Sequence, residues 1–314
     1  MCQFMGRRKK KKQVLNKISK IVNNKGNGCL NRTAIPFKND RGVRLMKTSV
    51  VSKEYLNLQK EIIKLQEQWK AAIDPETVKP KFDSATIEAG VPLASLTEID
   101  FNIALFLQCL EELKQVLIDS NPRLEGQFAI LSEVMDETVA ARMLEEAFSM
   151  NYLYFSEFAS EHKLDEWLPQ FVAETLFRPY LQVLAGKAQP KITHGVPGCG
   201  CPVCGEPARL GQIEGQGQKV LHCPRCLFYW LDKKISCTHC GNTDHKTIQF
   251  LTIEGDASSQ IHVCEKCKGY TKVIDTRQHL SKPSTPLLDL NSIHLDYIAQ
   301  EKGYKVSVEN EKVN

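Results

Sequence analysis

The chain has 314 residues, 42% of them hydrophobic, with 41 basic and 37 acidic side chains and a formal net charge of +4. That length and apolar content suffice for a buried core in two domains, or in one long helical domain with an appendage, which places the chain among globular proteins. The charge is uneven: residues 1–45 hold thirteen Lys and Arg against one Asp, while the remainder has 28 basic and 36 acidic side chains. Any case for nucleic-acid or anionic-membrane binding from basicity therefore rests on the first segment alone.

That segment, with RRKKKK at 7–12, lacks the apolar stretch that follows the basic region of a secretory signal, so a cytoplasmic protein is expected. Three readings stand for it: a disordered basic arm touching nucleic acid, a helical arm built on QVLNKISKIV, and an upstream extension whose true start is Met46. From Lys53 to Ile73 apolar residues recur at Tyr55, Leu58, Ile62, Leu65, Trp69 and Ile73, the spacing of one helix face, and Pro75 stops it. A Pro-containing connector over 74–94 leads to Ser95, which with Glu98 reads as a capping box opening a helix that runs to about Ile118, before Pro122.

The most apolar stretch, FNIALFLQCLEEL at 101–113, ends at Glu111. This is well short of the roughly 18 to 20 residues of a membrane span, so a buried helix and no membrane insertion are expected. Further helical patterns occupy 124–149, 151–161 and 166–185, with Pro179 expected to kink or restart the last. The turn-rich GKAQPKITHGVPGCG at 186–200 marks the main change of composition. Past KPSTP, Ser284 or Thr285 caps a closing helix with Pro286 in its first turn and Gly303 beyond its end. The expected domains are a basic tail at 1–45, a helical domain at 46–190, a double metal-binding module at 191–280, and a C-terminal helix and tail at 281–314.

Nine of the twelve cysteines lie between Cys199 and Cys267, which in a cytosolic chain points to metal or redox chemistry rather than disulfides. Four Cys-x-x-Cys pairs, Cys201/Cys204, Cys223/Cys226, Cys237/Cys240 and Cys264/Cys267, are separated by gaps of 18, 10 and 23 residues. Two-residue spacing lets both thiolates of a tight knuckle face one ion, and two knuckles complete a tetrahedral shell, so four pairs imply two sites. The first gap contains a hairpin with GQG at 215–217 as its turn, and the last repeats the plan with KTIQFLTI, EGDASSQ and IHV. A hairpin brings its ends together. Site 1 is therefore Cys201, Cys204, Cys223 and Cys226, and site 2 is Cys237, Cys240, Cys264 and Cys267. The ten residues Leu227 to Ser236, without Gly, Pro or Asn, read as a strand joining the two sites.

The spacing suits either zinc or a single rubredoxin-like iron. A site whose four ligands all come from protein leaves no open position for a catalytic water. Cys199 reads as a surface bystander against an alternative role as a redox or ligand-swapping thiol. His222 and His239 read as hydrogen-bonding neighbours rather than ligands. Tyr229 and Trp230 read as cover for the module's small core, against base stacking. With ten Lys/Arg and eight Asp/Glu over 199–277, the module is no basic reading head. The chain carries no Gly-rich phosphate loop, nucleophile elbow or His-Glu-x-x-His, so no catalytic residues are assigned and no enzyme is expected.

CPVCG, LHCPRC, ISCTHC and HVCEKC in this order, preceded by helices and followed by one helix, resemble the formate dehydrogenase accessory proteins of the FdhE family. The resemblance runs from about Cys201 to the helix ending near Tyr304 and includes Trp230 and the LLD of Leu287 to Asp289. It is architectural over 46–198. It implies an α+β protein in which an N-terminal all-helical domain precedes two tandem rubredoxin-like/zinc-ribbon modules and a C-terminal helix. It implies iron in both sites, with zinc able to replace it. It implies a cytoplasmic maturation factor that binds the catalytic subunit of a molybdenum- or tungsten-dependent formate dehydrogenase, a twin-arginine-exported precursor, and is needed for its activity. A homodimer is left open. Two other readings stand beside it: a zinc-ribbon nucleic-acid-binding protein that uses the basic tail, with nucleic acid the less favoured partner, and a rubredoxin-like electron carrier.

Overall fold

The computed structural model describes residues 51–253, 256–279, 281 and 284–306. The basic segment 1–45, and with it the choice between arm, helix and a start at Met46, lies outside them. The described residues fall into two compact units, 103–177 in one and 51–102 with 178–306 in the other.

Helix α1, Lys53–Ala72, opens at Ser52, whose hydroxyl accepts the Tyr55 N–H at 3.2 Å. Ile62, Trp69 and Ile73 of the expected apolar face are buried. Strand β1 (Val78–Pro80), the short helix α2 (Ser84–Glu88) and strand β2 (Thr97–Ile99) follow, with Val78 opposite Ile99 in an antiparallel ribbon. The helix expected from Ser95 thus begins only at Ile103. β-Branched Thr97 and Ile99 suit a strand, and Glu98 binds Lys81 at 2.5 Å across the ribbon, where it cannot complete a capping box.

The helical unit contains α3 (Ile103–Ser120), α4 (Glu125–Val134), α5 (Glu137–Phe148) and α6 (Tyr152–Glu161). The single pattern expected over 124–149 is two helices, because Asp136 interrupts it and caps α5, its carboxylate accepting the Val139 N–H at 2.8 Å. Phe106, Leu113, Phe128, Leu131, Met143 and Phe155 form its buried interior. The apolar stretch 101–113 lies largely on α3, and no helix of the described residues is long and apolar enough to cross a membrane.

Helix α7, Leu168–Ala188, begins in this unit and ends in the other. It runs through Pro179 without restarting, although the proline removes a hydrogen bond to the carbonyl one turn back. Tyr180, Leu181 and Leu184, just beyond, are buried, and the Tyr180 hydroxyl receives the Asn102 N–H at 3.1 Å.

The rest of the second unit is built on one six-stranded sheet. Its strands are β3 (Leu210–Glu214), β4 (Gln218–His222), β5 (Tyr229–Asp232), β6 (Ile248–Ile253), β7 (Asp256–Cys264) and β8 (Tyr270–Asp275), in the order β5-β4-β3-β8-β7-β6. Each three-strand meander belongs to one pair of cysteine knuckles. β3 and β8 are parallel while every other pair is antiparallel. That follows from repetition: two copies of an up-down-up meander laid side by side in the same sense must meet as parallel neighbours.

The single closing helix expected is two, α8 (Thr285–Asn291) and α9 (Ile293–Glu301), broken at Ser292, whose hydroxyl turns back onto the Leu288 carbonyl at 2.8 Å. Ser284 stands at the N-cap position of α8, with proline in its first turn, and Gly303 follows α9 at φ +86°. Leu288, Leu295, Ile298 and Ala299 pack on Leu210, Ile261, Val263, Tyr270 and Ile274 of the sheet.

An ion cluster lies within this packing. The fully buried Lys272 ammonium is 2.7 Å from Asp289 and 2.8 Å from Asp296. Arg209 reaches Asp289 at 2.9 Å and Glu206 at 2.6 Å, and the Tyr270 hydroxyl donates to Asp296 at 2.9 Å. Burial alone would raise the Asp289 pKa, but Arg209 and Lys272 hold the carboxyl well below its ordinary range. Burial raises that of Asp296, which has the weaker cationic company. Removing one partner of such a buried cluster leaves charges uncompensated. Lys272→Met is expected to cost about 3–5 kcal/mol in a urea titration of the full chain. Lys79→Met, which breaks the exposed Lys79–Asp100 pair, should leave the midpoint unchanged.

Candidate metal centres

The four knuckles share one local geometry. In three of them the first cysteine's N–H binds the carbonyl five residues on and its carbonyl receives the N–H four residues on: Cys201 with Glu206 and Gly205, Cys223 with Phe228 and Leu227, and Cys237 with Asn242 and Gly241, all at 2.8–2.9 Å. In the fourth, Cys264 N–H reaches the Gly269 carbonyl at 3.0 Å. The residue after the second cysteine is left-handed every time: Gly205 (φ +74°), Leu227 (+65°), Gly241 (+71°) and Lys268 (+55°). Glycine adopts this conformation freely, whereas Leu227 and Lys268 do so under local strain that the closed knuckle must hold. Reading the sequence for cysteine spacing alone misses these positions; the glycines in CPVCG and CTHCG were the signal.

The hairpins β3–β4 and β6–β7 bring knuckles together as pairs. The structure gathers Cys201, Cys204, Cys223 and Cys226 into one group and Cys237, Cys240, Cys264 and Cys267 into another, with all sulfurs of a group within 4.8 Å of one another. Sγ separations are 3.5 Å for Cys201–Cys226 and Cys204–Cys223, 3.5 Å for Cys237–Cys267 and 3.8 Å for Cys240–Cys264. A tetrahedral ion about 2.3 Å from each sulfur would set its ligands about 3.8 Å apart, so both groups fit a single four-thiolate ion. A disulfide would need about 2.05 Å. Both zinc and iron satisfy this donor set.

Site 1 is sealed: Cys201, Cys204 and Cys226 are 0% exposed and Cys223 is 2% exposed. Burial pushes the Cys201 and Cys226 thiols well up, and the hydrogen bonds they make to Cys223 hold that sulfur well below its ordinary value against the same burial. In site 2 the hydrogen bond from Cys267 brings Cys237 down to about 5, while the Cys267 thiol is raised. A bound cation would favour the thiolate form of all four sulfurs in each cage. Asn242 donates from Nδ2 to Cys264 Sγ at 3.5 Å, and the Gly269 N–H to Cys267 Sγ at 3.4 Å.

The neighbouring residues take other places. His222 pairs with Glu214 at 3.0 Å and His239 donates from Nε2 to the Tyr270 carbonyl at 2.8 Å, so neither imidazole belongs to a sulfur cage. Cys199 lies outside both groups, against Gly90, where a Cβ would come within 2.3 Å of its sulfur. Trp230 is buried and stacked on Phe228, with ring centroids 6.1 Å apart, and so covers the core. Tyr229 is 48% exposed and stacks on His222. Beside site 2, burial, reinforced by Lys219, holds the His262 ring neutral, its pKa down to about 3.

Residues 235–311 match the family described as FdhE, C-terminal domain. A protein described as an FdhE homolog from Aquifex aeolicus is 34% identical over 33% of this chain and 38% of its own length. One from Shewanella baltica is 26% identical over 63% of this chain and 64% of its own. The alignments thus span less than two thirds of these relatives. The crystal structure of the FdhE protein from Pseudomonas aeruginosa superposes with a TM-score of 0.53 and 19% identity over 80% of this chain and 86% of that one, and so shares the fold. The resemblance carried by the knuckle order is met in domain sequence, in relatives and in fold.

Metal analysis of the purified full chain is expected to find two ions per chain, and cobalt(II) substitution to give the spectrum of a tetrahedral tetrathiolate. Cys223→Ser should remove one ion and lower Tm. Cys199→Ser should retain both ions, and its loss of an ion would contradict the ligand assignment.

Proposed function

We propose that this chain, FdhE-like in its C-terminal sequence and in its fold, is a cytoplasmic accessory factor that binds the catalytic subunit of a molybdenum- or tungsten-dependent formate dehydrogenase and is needed for that enzyme's activity. The observation that carries this reading is the match over 235–311. That stretch holds all four cysteines of site 2, the closing helices α8 and α9, and the Lys272, Asp289 and Asp296 cluster that fastens those helices to the sheet. The resemblance therefore covers the parts that make this half of the module a rigid body able to present a fixed surface.

The role proposed is binding rather than catalysis. Cys201, Cys204, Cys223 and Cys226 would hold one ion and Cys237, Cys240, Cys264 and Cys267 the other. Bound zinc would supply folding energy, about 10–16 kcal/mol apparent for a structural site, and bound iron a one-electron change of charge as well. The residues of the chain then do the positioning: the left-handed residues Gly205, Leu227, Gly241 and Lys268 aim the sulfurs, the buried cation Lys219 joins β4 to β5 through Asp232 at 2.8 Å, and Lys272 ties the sheet to the closing helices.

Affinity capture of the tagged chain from its native host, anaerobically and after nuclease treatment, is expected to retain a formate dehydrogenase catalytic subunit that still carries its export signal. Recovery of ribosomal or other nucleic-acid partners in its place, lost on nuclease treatment, would overturn the proposal in favour of the basic segment 1–45 as the functional feature.

A further inference from the structure

The two sulfur cages have the same ligand set and nearly the same internal spacing, yet they differ in access to solvent. Site 1 is enclosed from outside its own repeat. The Leu93 N–H donates to the Pro202 carbonyl at 2.9 Å and the Ala94 N–H to the Val203 carbonyl at 2.8 Å, which lays a backbone segment directly over the first knuckle. Its second knuckle is covered as well, since Pro224 and Arg225 between the cysteines are buried and Phe228 beside them is 0% exposed.

At site 2 the Gly198 N–H donates to the Thr238 carbonyl at 3.0 Å on the first knuckle, and the Lys305 N–H and Tyr304 hydroxyl donate to Lys268 and Glu265 of the second, but among the described residues these contacts leave one edge of the cage open. Cys240 is exposed, Cys267 is half-buried, and Lys266 between Cys264 and Cys267 is exposed. Cys240 and Cys267 form one wall of a broad cleft of about 490 Å³ completed by Gly241, Asn242, Thr243 and Lys266. Cys237 and Cys264, the other two ligands, are buried. One edge of the cage is thus anchored in the sheet and the other faces water.

Exchange of an ion between thiolate cages proceeds by substitution. An incoming sulfur bonds to the ion, a resident sulfur leaves, and the departing thiolate must be solvated or protonated. Site 1 offers neither an approach nor a solvated place for a leaving sulfur. At site 2 both exist on the same side, and Lys266 is the one charged side chain among the six residues lining the cleft, which favours an anionic incoming ligand.

We propose that site 1 is a permanent part of the fold and that site 2 is an exchangeable site, passing a thiophilic divalent ion to or from a small anionic thiol through the cleft at Cys240 and Cys267. In each step one metal–sulfur bond forms as one breaks, the incoming thiol gives up its proton through water as the released cysteine thiolate takes one up, and the oxidation state of the ion does not change. The proposal rests on the reading of both cages as metal sites and deepens it.

The test uses the full chain loaded with two zinc ions, challenged with excess glutathione and a chromogenic chelator, with timed N-ethylmaleimide labelling and peptide mass spectrometry. Half of the zinc should leave on the order of tenfold faster than the rest, or more. When that half has gone, Cys240 and Cys267 should be labelled while Cys201, Cys204, Cys223 and Cys226 are not. Lys266→Glu should slow the release driven by glutathione but not that driven by the uncharged 2-mercaptoethanol. Loss of both ions in a single phase, or labelling of site 1 first, would overturn the assignment and leave the metal reading intact. A chain that binds fewer than two ions would overturn both.

Discussion

Four sulfurs can meet around one ion only if the two ends of a hairpin are held side by side, and most of the C-terminal architecture follows from meeting that condition twice. A knuckle supplies two ligands and no core of its own. The strands β3–β4 and β6–β7 therefore serve as spacers that return the chain to its starting point, and their register sets the second knuckle beside the start of the first strand, as with Ile248 facing Cys264. The third strand of each repeat, β5 or β8, then carries the chain away from its completed cage.

Two repeated meanders leave an open sheet with one face to cover. Helices α8 and α9 cover it around β7 and β8, and the charges buried there make that placement specific: Lys272 has no carboxylate partner other than Asp289 and Asp296 among the described ion pairs. Arg209 links the same Asp289 to Glu206, whose carbonyl accepts the Cys201 N–H. Site 1 and the closing helices are thereby parts of one connected structure, and Tyr304 and Lys305 tie the end of those helices to Glu265 and Lys268 of site 2, yet Cys240 stays exposed and Cys267 half-buried. The difference in access between the cages is a property of the surrounding packing, since the knuckles themselves are alike.

The features legible in the sequence were those governed by local spacing. The cysteine pairs and the GQG turn announced the hairpins, and hairpins determine which knuckles can meet. The capping of α5 by Asp136 and the break at Ser292 were hidden inside continuous helical patterns, because the apolar periodicity carries on across both. Ser95 and Glu98 have capping-box spacing, which imitates a helix start where the strand Thr97–Ile99 stands; its partner β1 lies about twenty residues earlier, and Lys81 claims Glu98. The parallel contact of β3 with β8 joins segments some sixty residues apart. No local pattern encodes it, although the duplication implies it. The burial of Lys219 and Lys272 was likewise invisible, since their carboxylate partners come from other elements.

The central claim is that each cage holds its ion through four cysteine sulfurs, two from either end of one hairpin. X-ray absorption at the edge of the metal that copurifies with the native chain tests it most directly. The account predicts four sulfur neighbours per metal atom at about 2.3 Å and no nitrogen or oxygen in the first coordination sphere. A shell with histidine nitrogen or water oxygen among the ligands, or with fewer than four sulfurs on average, would contradict it.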